Sequence, residues 1–229
     1  MRIAGIDGCK AGWIAVVAEE GRPDTAAPHF ASTVAGLFAA AAPAFALVDM
    51  PIGFVEGPAP RETEAAIRAR LKGKASSVFP VPARAALAAS DYHEASVVNR
   101  SRLGKGLTKQ TFAIFPKMRD LDEAISAIGQ TRLREGHPEV SFAEMNGAPV
   151  LSRKRKPDGQ AERIALLTAQ GFDAAGLAAQ AKANGCAVDD MLDATALLWS
   201  AMRFRRGHHN TYPAQPMRDA RGLEMSVIA

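Results

Sequence analysis

The stretch MRIAGIDGCKAGW, from Met1 to Trp13, constrains the fold more than any other part of the chain. An apolar run through Ile3, Ala4 and Ile6 ends at Asp7. Gly8, Cys9, Lys10, Ala11 and Gly12 follow, and beyond Trp13 the residues Ile14 to Val17 are apolar again. Two short apolar runs around a glycine-bearing turn predict a β-hairpin. Asp7 then stands at the mouth of a strand beside glycines and a lysine, a placement that suits a metal or a phosphate. It also suits a plain turn former, because Asp-Gly is a common hairpin dipeptide. What the rest of the chain brings alongside Asp7 decides between the two.

Pro23 to Pro28 reads as turn-rich, His29 to Thr33 as a third strand, and the Ala-rich Val34 to Ala42 as a helix. Phe45 to Val48 has the composition of a buried strand and runs into Asp49-Met50-Pro51-Ile52-Gly53. Pro51 stops that strand, because proline cannot donate to a ladder, and leaves Asp49 at its end. The crossover between them favours a parallel pairing of this strand with the first. Asp7 and Asp49 are then neighbours at the carboxyl ends of strands, where open α/β sheets bind ligands. Two such carboxylates repel unless a cation lies between them.

Residues from about 54 to 130 read as a largely helical insertion, with helices over Arg61 to Lys72, Tyr92 to Leu103 and Pro116 to Ile128. Arg84, Lys105, Lys109 and Lys117 are interleaved there with Phe79, Tyr92, Phe112 and Phe115. That pattern suits contact with single-stranded nucleic acid, and equally a small helical subdomain with a wet surface. His137 to Phe142 alternates like a strand, which would place Glu139 on the sheet. Helices are expected over Gly159 to Gly171, over Phe172 to Gly185, and from Asp189 to about Arg205. The last has acids in its first turn and arginines at its end, matching the helix dipole. Asp190 and Asp193 are three apart and share a face. Asp193 lies a turn inside an apolar helix, where an unpaired carboxylate is costly.

The 229 residues, with 48% hydrophobic and 23% charged, fit one globular domain spanning 1–229. No uninterrupted apolar stretch is long enough for a membrane span, and Asp7 and Lys10 break the first apolar run as a signal peptide. Cys9 and Cys186 are the only cysteines, which excludes a cysteine zinc site and points to a reducing, cytoplasmic setting. The net charge of +4, with the run Arg153-Lys154-Arg155-Lys156, is compatible with a polyanionic partner without requiring one.

Three strands, a helix, a fourth strand, a later strand and a final helix is the element order of the ribonuclease-H-like fold. The expected architecture is therefore α/β: a mixed sheet with strands 1–3 antiparallel and strands 4–5 parallel, flanked by helices, with the helical insertion after strand 4. In that fold carboxylates from the first strand, the fourth strand and the last helix converge on divalent ions. The motifs Gly5-Ile6-Asp7-Gly8-Cys9-Lys10-Ala11-Gly12-Trp13, Asp49-Met50-Pro51-Ile52-Gly53, Ser77-Val78-Phe79-Pro80, His137-Pro138-Glu139 and Asp189-Asp190-Met191-Leu192-Asp193-Ala194, in this order, resemble the family catalogued as domain of unknown function 429. That family is described as predicted ribonuclease-H-like nucleases. The resemblance extends to Arg84, Gln110, Pro116-Lys117, Lys154 and the segment Asp219 to Met225.

The resemblance implies that Asp7 and Asp49 ligate metal, that one or both of Asp190 and Asp193 complete the set, and that Glu139 is a further acidic ligand or orients the attacking water. It implies phosphate contacts for Lys10 and Lys117, with Arg84 and Lys154 as further substrate-binding residues. All-oxygen ligands suit Mg²⁺ or Mn²⁺, and hydrolysis of a phosphodiester by two such ions needs a set of this kind. The expected function is a metal-dependent nuclease acting on DNA or RNA. The rivals are a nucleotide-binding phosphotransferase-like protein and a non-catalytic nucleic-acid-binding module of the same fold. A second copy of the Gly-Ile-Asp-Gly turn, which the phosphotransferase architecture would need, is not in the sequence.

Overall fold

A computed structural model describes residues 1–229. The opening hairpin forms as its sequence predicts: β1 (Arg2–Cys9) pairs antiparallel with β2 (Gly12–Glu19), Asp7 opposite Ile14 and Cys9 opposite Gly12. The third strand, β3 (Arg22–Ala31), starts earlier than expected and takes in Pro23 and Pro28. It can do so because it is the edge of the sheet, with only β2 beside it, so a proline forfeits no bond on its outer side. Helix α1 (Val34–Ala41) is capped by the Thr33 side chain, and β4 (Phe45–Val48) returns parallel to β1 with Val48 beside Ile6.

Between β4 and the next strand the chain is helical, with α2 (Thr63–Arg70), α3 (Tyr92–Leu103), α4 (Lys109–Ala113) and α5 (Phe115–Ile128). Next, β5 (Leu133–Gly136) pairs parallel with β4. The alternating segment from His137 to Phe142 is not a strand: α6 (Pro138–Asn146) begins there, and Glu139 lies in its first turn. Proline at the first helical position followed by an acid is a helix-start signal, and it outweighs a period-two pattern only six residues long. Then come α7 (Pro157–Ala169), α8 (Ala174–Gln180) and α9 (Val188–Arg205). A closing hairpin of β6 (Thr211–Arg218) and β7 (Glu224–Ile228) extends the sheet, β7 running parallel to β5. The seven-stranded mixed sheet thus has the order β3-β2-β1-β4-β5-β7-β6.

The side chains of the central strands alternate between two cores. Ala4, Ile6, Ala46 and Val48 pack with α1 and α5 on one side. Ile3, Phe45 and Leu47 pack with α7, α8 and α9 on the other. By the same period of two, Asp7 and Asp49 lie on the α9 side. Helix α9 buries Leu192, Leu197 and Leu198 completely, each worth about 1.5–3 kcal/mol. No helix is long and apolar enough to cross a membrane.

A candidate metal centre in an acidic cleft

The site is set by how closely α9 approaches β1. A side chain on Gly5 would place its Cβ 2.1 Å from the Ala194 carbonyl oxygen and 2.2 Å from the Leu198 nitrogen. Only glycine permits that contact. The helix therefore rests its backbone on the strand, and the turn carrying Asp193 is brought over the strand end carrying Asp7. Asp49 follows at the end of the adjacent strand, its N–H donating to the Ile6 carbonyl at 2.9 Å. The loop after Asp49 is clamped from below. Glu135 accepts from the Ile52 N–H at 2.9 Å, and Arg61, fully buried, donates to both Glu135 oxygens and to the Gly53 carbonyl.

Asp7 is nearly buried, and one of its oxygens accepts from the Gly8 N–H at 2.7 Å. Asp193 is 1% exposed. Its Oδ2 takes the Lys154 ammonium, while its Oδ1 has no partner. Asp190 accepts from the Ala187 N–H at 3.0 Å and so closes the start of α9. Asp189 pairs with Arg155 at 3.1 Å. Asp49, Glu139, Lys154 and Asp193 share a cleft of about 420 Å³ with Ser77 and His137.

Charge in this cleft is unbalanced. Burial raises the Asp7 carboxyl well above the usual range, and Asp49 and Asp193 raise it further against the opposing pull of Lys154. Burial pushes Asp49 up to about 6, Lys154 opposing and Glu139 adding. Burial likewise pushes Asp193 up to about 6, offset by Lys154 and reinforced by Asp49 and Glu139. Asp190 is raised by burial as well. For Lys154 burial alone would favour the neutral amine, but Asp193, Asp7 and Asp49 together outweigh it and hold the ammonium charged. The carboxylates therefore repel one another at neutral pH, and Lys154 is the cation that partly relieves them.

Glu139 lines the cleft but is already engaged. Arg163, without solvent exposure, donates to its two oxygens at 2.8 and 2.9 Å, and Lys74 reaches both at 3.1 and 3.2 Å. The basic residues expected to bind substrate fall in three places. Lys154 is inside the cleft. Lys10 and Lys117 share a shallow pocket at the hairpin tip, where the Lys117 ammonium donates to the Gly12 carbonyl and lies 4.8 Å from the Trp13 ring centroid. The Lys117 stem passes 2.7 Å from where a Gly8 Cβ would stand, so a side chain there would push the lysine aside. Arg84 is elsewhere, bound at 2.7 Å to both Asp122 and Asp219 and stacked on Phe54.

His137 is not in the set expected from the sequence, which reads it as the first residue of a strand. With β5 ending at Gly136, it occupies a strand-end position like Asp7 and Asp49. Burial lowers its pKa to about 4, so the imidazole is neutral, and its Nδ1 has no partner.

The donors facing the cleft are hard oxygens, and the orphaned Asp193 Oδ1 beside Asp7 and Asp49 fits a small divalent cation. No three His, Cys, Asp or Glu side chains stand close enough together to enclose one, so the carboxylates would have to close in on an ion as it bound. A family model described as a protein of unknown function (DUF429) matches residues 5–218. No curated protein and no solved structure matches the chain.

Proposed function

The chain belongs to the DUF429 family, and we propose that it is a metal-dependent phosphodiesterase of ribonuclease-H-like fold that hydrolyses nucleic acid. The observation that carries this reading is the buried Asp193 oxygen without a partner, in a helix whose backbone rests on the strand bearing Asp7. A carboxylate in that position costs stability unless a cation uses it. The order β3-β2-β1-β4-β5, with acids at the ends of β1 and β4 and on α9, supports the fold assignment.

In this reading Asp7, Asp49 and Asp193 hold Mg²⁺ or Mn²⁺, which when bound supplies a Lewis acid and a more acidic water. Asp190, tied to the start of α9, adds negative potential and leaves one oxygen for ligation or for a bound water. Glu139, neutralised by Arg163 and Lys74, forms the far acidic wall and can orient the attacking water. Lys10, exposed at the hairpin tip, meets a flanking phosphate, with Lys117 beneath it shaping the turn. Arg84 serves the framework.

The test is cleavage of labelled single- and double-stranded DNA and RNA with Mn²⁺, comparing wild type with Asp7→Asn and Asp193→Asn. Wild type is expected to cut at least one substrate, and both variants to lose about a hundredfold or more in rate, as removal of a transition-state electrostatic element does. Equal cleavage by wild type and variants would show that another site is responsible.

A further inference from the structure

We propose that the cleft takes one divalent cation per chain, held by Asp7, Asp49 and Oδ1 of Asp193, and that the Lys154 ammonium permanently fills the place of a second. This rests on reading the cleft as a cation site.

The protein's own side chains already account for much of the negative charge. Glu139 is matched by Arg163 and Lys74. Asp189 is matched by Arg155. Asp190 gives an oxygen to the first turn of α9 and keeps its charge, which is offset by the one positive charge left over where Arg163 and Lys74 both face Glu139. What remains is Asp7, Asp49 and Asp193, three negative charges with Lys154 against the last of them. The balance is two negative charges, which one divalent ion neutralises and two would overshoot.

The free oxygens agree with the charge count. Asp49 has no side-chain hydrogen bond, Asp7 gives one oxygen to Gly8, and Asp193 keeps Oδ1 unpartnered while Oδ2 is taken by Lys154. A second ion bridging to Asp193 would have to evict the lysine from Oδ2. Lys154 is held in place by its surroundings: it follows Arg153, whose carbonyl lies 2.2 Å from where a Gly159 Cβ would stand, so the 153–155 loop is pinned against the start of α7. The Lys154 side chain is mostly buried in the cleft it shares with Asp49 and Asp193. A fixed ammonium in that place can also meet a non-bridging phosphate oxygen of the substrate without leaving the carboxylate, since it carries three donors.

The experiment is calorimetric titration with Mn²⁺ and no substrate, supported by the electron paramagnetic resonance signal of free Mn²⁺, on wild type, Lys154→Met and Lys154→Arg. Wild type and Lys154→Arg are expected to bind one ion per chain. Lys154→Met, relieved of the neighbouring positive charge, is expected to bind the first ion at least about tenfold more tightly. Two ions on wild type would overturn the inference while leaving the metal-dependent reading intact, and so would an unchanged affinity in Lys154→Met. No binding to wild type at millimolar Mn²⁺ would overturn both. Should Lys154→Met not fold, the count on wild type and Lys154→Arg decides the matter alone.

Discussion

Arg163 grips the carboxylate of Glu139 with its terminal nitrogen at 2.8 and 2.9 Å, and the arginine side chain has no contact with solvent. The other terminal nitrogen of the guanidinium donates to the Gly159 carbonyl, and the group stands over the Phe142 ring. One residue thereby ties α7 to α6 and fixes the acidic wall of the cleft. Removing it strands a buried carboxylate with Lys74 as its only partner. Arg163→Ala is expected to destabilise the protein by about 3–5 kcal/mol in urea denaturation. A loss below about 1 kcal/mol would mean that Glu139 is not held as described.

Asp49 gives a prediction with a definite pH dependence. Its carboxyl titrates at about 6 in the fold against an ordinary value of 3.8, so its ionised form is disfavoured by folding. The destabilisation is complete above pH 6, fades between 6 and 4, and is absent below, where folded and unfolded states are both protonated. Metal-free Asp49→Asn is therefore expected to melt about 3 °C or more above wild type at pH 7.5, with the difference vanishing near pH 4. At pH 7.5 Mn²⁺ is expected to raise the melting temperature of wild type and not that of the variant. Differential scanning fluorimetry across pH, with and without Mn²⁺, measures both effects.

Gly5→Ala inserts a methyl group against backbone atoms that cannot rotate away, 2.1 Å from the Ala194 oxygen. The expected cost is at or above the upper end of the overpacking range, about 3 kcal/mol. Its signature is a loss of Mn²⁺ affinity in whatever fraction remains folded, since α9 must lift from β1. Retained affinity with wild-type stability would show that the helix can shift without consequence for the site.

Arg84→Met separates framework from substrate contact. Asp219, whose side chain is fully buried, loses the guanidinium that bridges it to Asp122. Stability should fall by about 2 kcal/mol or more. Affinity for single-stranded nucleic acid, measured by fluorescence anisotropy, should stay within about twofold of wild type. A large loss of affinity without a loss of stability would return Arg84 to the substrate surface.

What could be read from the sequence was whatever local chemistry enforces. The opening hairpin, β4 with Asp49 at its end, and α9 with its acidic start and basic finish each carry their own punctuation: a glycine turn, a proline stop, a dipole-matched helix. Asp193 was conspicuous because nothing local justified a carboxylate inside an apolar helix. Glu139 was misplaced because six alternating residues resemble a strand whether or not a proline starts a helix within them. The partners of Glu139, Lys74 and Arg163, lie 65 and 24 residues away, and such pairings leave no local mark. The same is true of Arg61 and Glu135, 74 residues apart, which together clamp the loop after Asp49. The prolines of β3 misled because edge position is a property of the assembled sheet. The β6–β7 hairpin escaped because its first strand carries two prolines, Pro213 and Pro216, and lies at the opposite edge.

The contact at Gly5 has a consequence for how this protein can change. Spacing between Asp7 and Asp193 is set by main chain lying on main chain, so it does not depend on which side chains fill the surrounding core. Leucines and isoleucines around α9 can be exchanged for others of similar volume, and the ruler between the two aspartates keeps its length. The geometry of the acidic cluster and the composition of the core are thereby uncoupled, so that exchanges in the core leave the cluster as it stands.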